Sequence, residues 1–160
     1  MFGKSFSEYL RFDKVVLWVI AIVGLGRLAL SLAGVPNTSV KWLSITVVSL
    51  LGALYLSAKV HTSGFGSYKQ LLPVVWIVGA LTHLIVASGI VIGIVMHKDN
   101  IFTAPEYSGK ADGKTLLHVI AHLIAGFIVA PIVMWLIGSL VLFITKKVSP
   151  RNTETAAAEA

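Results

Sequence analysis

Four of the five histidines, His83, His97, His118 and His122, lie on or beside two long apolar stretches, Leu71 to Met96 and Leu116 to Ile144. An imidazole binds metal, ligates haem, or donates and accepts hydrogen bonds according to its tautomer, so the chemistry open to this chain is imidazole chemistry. His118 and His122 stand four residues apart and share one helical face. His97 ends the preceding stretch on the same side. With Asp99, Glu106 and Asp112 in the loop between, the set His97, His118 and His122 is a candidate tetrahedral zinc or copper site. Val119 to Ala121 do not supply the glutamate that accompanies a His-x-x-x-His pair in a metalloprotease. A hydrogen-bonded structural pair is the competing reading of His118 and His122.

His83 and His97 are fourteen residues apart, which at about 100° per residue returns to nearly the same face about 21 Å along a helix. This one spacing resembles that of the histidines that hold two stacked haems in membrane b-type cytochromes, and the resemblance extends to no longer motif. Counting inward from the helix ends puts His97 level with Thr115 to His118, so one haem between His97 and His118 is a candidate. The same count puts His83 level with about Ile128, where the last stretch has no ligand, so a second haem is not expected.

Arg27 is the only formally charged residue well inside an apolar stretch, and none of these stretches contains an acid. Placing arginine at mid-bilayer costs about 3 kcal/mol or more, less where the side chain snorkels. Its partner is therefore expected to be a carbonyl, water, a loop carboxylate, a lipid phosphate or a bound anion. The same depth count brings Arg27 near His118, His122, Gly89 and Gly93. Gly89-x-x-x-Gly93 permits close helix packing, or leaves a slot for a flat ligand. The candidate cofactor-binding set is thus Arg27, His83, His97, His118, His122, Gly89 and Gly93, with haem, quinone or a transition metal as the ligand. A quinone would take a hydrogen bond from His122, and a haem would set its propionates near Arg27.

Something must carry these side chains through an apolar phase. Of the 160 residues, 56% are hydrophobic and 12% charged, too apolar for a water-soluble core of this size, so lipid is expected to cover the surface. Four stretches, about 15–33, 41–58, 71–96 and 116–144, are each long enough to cross a bilayer. The expected fold is all-α, an integral membrane four-helix bundle over 15–148. Residues 1–14, with Phe2, Phe6, Tyr9 and Leu10 at helical spacing, read as an interfacial leader or a solvated one. The first stretch also loosely resembles a signal-peptide core, with Ser31-Leu32-Ala33 as the cleavage site, but Arg27, Glu8 and Asp13 argue against cleavage. Pro131 is expected to bend the last helix and free the carbonyl of Phe127. Residues 149–160 read as a disordered tail.

Lys4, Arg11, Lys14, Lys59, Lys69, Lys146, Lys147 and Arg151 fall on one side, against Lys41, Lys98, Lys110 and Lys114 on the other. Eight against four predicts both termini in the cytoplasm and a multi-pass protein of the cytoplasmic (inner) membrane. The net charge of +6 is spread over helix ends, which suits lipid headgroups and argues against nucleic acid. With no cysteine, the chain has no thiolate metal site, iron–sulfur ligation or disulfide of its own. No serine has a paired carboxylate, so hydrolytic chemistry is not expected. The reading from a different class is a non-catalytic scaffold or subunit, whose small-residue faces pack against a membrane protein partner or a second copy. A larger complex in mild detergent would favour it.

Overall fold

The computed structural model describes residues 1–40, 42–108 and 113–150; the expected tail beyond 150 lies outside them, as do Lys41, Lys110 and Asp112. The described chain is helical: α1 (Phe6–Leu32), α2 (Ile45–Thr62), α3 (Tyr68–Met96), a single turn α4 (Pro105–Ser108), α5 (Leu116–Ile124) and α6 (Ala130–Val148). A π-helical turn, Ala125–Val129, joins α5 to α6 so that they form one rod. That rod and the three other long helices are each long and apolar enough to cross a membrane.

α1 shows no break between an interfacial leader and a span. It starts at a capping box, in which the Ser5 hydroxyl accepts from the Glu8 N–H and the Ser5 N–H donates to the Glu8 carboxylate at 2.7 Å. From there no proline interrupts it. Asp13, which the sequence places on the leader, is fully buried, and neither carboxylate oxygen has a hydrogen-bond partner among the described residues. α2 begins at Ile45 and not at 41, because Ser44 is the residue whose hydroxyl caps it, accepting from the Val47 N–H. Its far end is tied to the end of α6 by His61, whose Nε2 lies 2.9 Å from the Ser149 carbonyl oxygen. The fifth histidine is therefore a structural one.

α3 is the pillar of the bundle. It packs against α1, α2, α5 and α6, whereas among the described residues the backbone of α1 does not come close to that of α5 or α6, nor that of α2 to α5. Its β-branched and small residues, including Val74, Val75, Val78 and Ala87, are buried against these neighbours together with Ile20, Leu56 and Leu142. At the terminal end, the Trp135 indole donates to the Tyr68 carbonyl at 2.8 Å and Lys146 donates to the Ser67 hydroxyl at 2.9 Å, fastening α6 to the start of α3.

The expected consequence of Pro131 is present. Proline removes one backbone donor and crowds the carbonyl four residues earlier, and the rod answers with the π-helical turn. The Phe127 carbonyl so released accepts the Trp76 indole N–H at 3.1 Å, across the α3 seam. Trp76→Phe keeps the ring and deletes that donor. It should lower stability by about 1 kcal/mol, measured as a shift of the unfolding midpoint in mixed detergent micelles.

The loop after α3 dips into the bundle mouth. His97 ends α3 in the left-handed region (φ 50°), and the Lys98 N–H closes back to the Gly93 carbonyl. Beyond it Asn100, Ile101, Thr103 and Ala104 are all buried. Asn100 carries the turn: its amide donates to the Gly89 carbonyl at 2.7 Å, and its side-chain oxygen accepts from the Phe102 N–H at 2.9 Å. Gly89 and Gly93 serve this loop. A β-carbon at 89 would strike the Phe102 ring, and one at 93 would crowd Thr103 and the Asn100 amide. The expected helix contact or flat slot at these glycines is thus filled by the loop. Asn100→Ala leaves the Phe102 N–H without its acceptor and removes the side chain's tie to the Gly89 carbonyl, and should open the loop by about 2 kcal/mol. Limited proteolysis between residues 98 and 108 should then accelerate while the four-helix circular dichroism is kept.

Candidate ligand cleft at the loop end

Because the loop is tucked in, α5 starts deeper than α3 ends. His83 lies thirteen residues before Met96 and His122 six residues after Leu116, yet their Nδ1 atoms are 3.1 Å apart. At about 1.5 Å per residue, α5 is therefore displaced inward by about 10 Å. The count from equal helix ends, which placed His83 beside Ile128, fails for this reason. The pair also needs Gly126 one turn after His122, since a β-carbon there would overlap the β-carbon of His83. His118 stands on the outer side of His122, with ring centroids 4.9 Å apart, against 5.3 Å between His122 and His83.

His118 and His122 face a cleft of about 320 Å³ between the start of α2 and α5. Arg27 of α1 forms part of the wall, Ser44, Ile45 and Thr46 open α2 onto it, Val86 of α3 lies behind, and Ile101 and Phe102 come from the tucked loop. Arg27 is buried at 7% exposure and its Nη1 donates to the Leu43 carbonyl at 3.1 Å. Its guanidinium is buried against the connector that leads into α2. The structure thus brings together Arg27, His118 and His122 in the cleft, with His83 behind His122, while Gly89 and Gly93 seat the loop. His97 is exposed at the end of α3 and does not line the cleft.

The hydrogen bonds restrict what each ring can offer. The nitrogen of His118 that meets the Gly113 carbonyl at 2.8 Å is Nδ1; a carbonyl only accepts, so Nδ1 carries the proton and Nε2 of the neutral ring is an acceptor. Nδ1 of His122 is engaged by His83, so Nε2 is the nitrogen that His122 has left to offer the cleft. Arg27 is a permanent donor.

Among the described residues, no three histidines, aspartates or glutamates are grouped to hold a metal ion, and the expected set His97, His118 and His122 is not assembled. Asp99 is paired with Lys114 at 2.6 Å. The His97–His118 haem fares no better, since His97 is exposed and does not line the cleft, and Phe102 fills the space beside Gly89. The Nδ1 atoms of His83 and His122 stand 3.1 Å apart, whereas axial nitrogens on the two sides of a haem iron, at about 2 Å each, would be about 4 Å apart. A second, larger groove of about 540 Å³ lies around Trp76, Phe127 and Pro131. It is almost wholly apolar and offers nothing with which to do imidazole chemistry.

Comparison of the chain with protein-family models, with curated proteins and with solved structures finds no match.

Proposed function

We propose that this is a multi-pass protein of the cytoplasmic membrane whose loop-end cleft binds the headgroup of a quinone and serves membrane electron transfer, with both termini in the cytoplasm and the cleft opening near the outer face. The observation that carries the reading is the convergence of one guanidinium and two imidazoles from α1 and α5 on one cleft whose other walls include Val86, Ile101 and Phe102. Of the three ligand classes that the histidines suggest, a transition metal lacks a grouped ligand set among the described residues and haem lacks an opposed histidine pair. A quinone needs neither.

The chemistry matches. The cleft volume falls at the small end of the range for small-molecule pockets, about 300–1,000 Å³, which suits a headgroup whose tail stays in lipid. Quinone carbonyls accept hydrogen bonds, and Arg27 donates, as does His122 in its Nε2–H tautomer. Quinol hydroxyls donate, and Nε2 of His118 accepts. Phe102 and Val86 supply apolar contact for the ring. Protein purified in mild detergent should yield about one quinone per chain on solvent extraction and bind added decylubiquinone saturably. A Soret band, or a stoichiometric metal with no quinone binding, would overturn the reading.

A further inference from the structure

A single hydrogen bond joins Nδ1 of His83 to Nδ1 of His122 at 3.1 Å, and one proton occupies it. With both rings neutral, they are forced into opposite tautomers. If His122 donates, its Nε2 is bare and the Nε2 of His83 is protonated; if His83 donates, both assignments reverse. His122 touches the cleft and His83 does not, so whatever sets the tautomer at His122 also sets it at a ring the ligand cannot reach.

We propose that His122 and His83 form a two-imidazole proton relay for the cleft ligand. The proposal rests on the quinone reading and deepens it. When a bound quinol gives up one electron to a one-electron carrier of the haem or iron–sulfur class on a partner protein, one O–H bond breaks. Its proton bonds to Nε2 of His122, the shared proton moves from Nδ1 of His122 to Nδ1 of His83, and the proton on Nε2 of His83 passes to a water molecule at that partly exposed ring. One proton enters and one leaves. The reverse sequence supplies a proton to a bound quinone that gains an electron from the same class of carrier.

The surroundings favour passing the proton over holding it. The described groups facing His122 are His83 from α3 and His118 from its own helix; Arg27 from α1 lines the same cleft, and no described carboxylate does. A proton held on either ring as a second charge would sit in an apolar seam, while an exchange of tautomers leaves the net charge unchanged. His118 cannot take the place of His83, because its Nδ1 is bound to the Gly113 carbonyl, a group that has no proton to exchange.

The test is nitrogen NMR of the full chain, ¹⁵N-labelled at histidine, in lipid nanodiscs loaded in turn with decylubiquinone and decylubiquinol, alongside a binding titration with each. Loaded with the quinone, which accepts from His122 Nε2–H, His83 should be the Nδ1–H tautomer; loaded with the quinol it should be the Nε2–H tautomer. The swap at His83, outside the cleft, is the expected result. Saturable binding of both probes with an unchanged His83 tautomer overturns the relay and leaves the quinone site standing. Absence of saturable binding by either probe overturns both.

Discussion

Gly126→Val should cost the bundle about 3 kcal/mol or more and remove the histidine pair with it. A β-carbon at this position overlaps the β-carbon of His83 and lies 2.8 Å from its Cγ, and neither is the yielding end of a flexible side chain. The same face of α3 is close one turn earlier: a β-carbon at Gly79 would already stand 3.2 Å from the Gly126 carbonyl oxygen. The two helices must separate or the rod must shift, and overpacking of a tight seam typically costs about 1–3 kcal/mol before any hydrogen bond is lost. The seam also holds the Trp76–Phe127 bond and the His83–His122 bond. Unfolding in increasing denaturing detergent, followed by tryptophan fluorescence, should show a much lower midpoint. Gly89→Ala makes a contrast, since the atoms it meets first belong to the Phe102 ring of a loop that can retreat. An unchanged midpoint for Gly126→Val would mean that the α3 seam is not as close as described.

Arg27→Leu should weaken quinone binding about 10- to 100-fold while leaving the fold intact. Leucine keeps apolar bulk against α2 and loses the guanidinium, whose hydrogen bonds are of the charged kind, worth about 1.5–3 kcal/mol each, and about 1.4 kcal/mol is tenfold in affinity. Its hydrogen bond to the Leu43 carbonyl is lost as well, and the desolvation cost of a buried cation goes with it. Titration with decylubiquinone and thermal unfolding of one preparation separate the two effects. Equal affinity in variant and parent would remove Arg27 from the site.

Much of this arrangement is legible in the chain itself, and the parts that are not have identifiable causes. Four apolar stretches of spanning length need only counting. Arg27, His118 and His122 could be placed together because a charge inside a span and an i, i+4 histidine pair both sit a fixed rise from nearby helix ends. The carbonyl released by Pro131 follows from ring geometry, although nothing in the sequence names Trp76 as its donor. The His83–His122 bond was hidden because depth counting assumes that neighbouring helices end level. The signal that they do not was available in Asn100-Ile-Phe-Thr103, where an asparagine and a threonine three apart mark a turn and the residues between are too apolar for an exposed loop. The same tuck explains why Gly89 and Gly93 face a loop. Asp13 reads as leader charge because sequence reports polarity and not burial; its side chain is buried on an unbroken α1.

The claim on which the functional account stands is that the ligand sits between α2 and α5 and not in the larger apolar groove beside Trp76. Photolabelling with an azido-quinone, followed by peptide mapping, tests it directly. The account predicts adducts on Phe102, Val86 and the His118–His122 turn that decylubiquinone competes away and that Arg27→Leu diminishes. Adducts confined to the groove of Trp76, Phe127 and Ile128, or labelling that no competitor displaces, would contradict it.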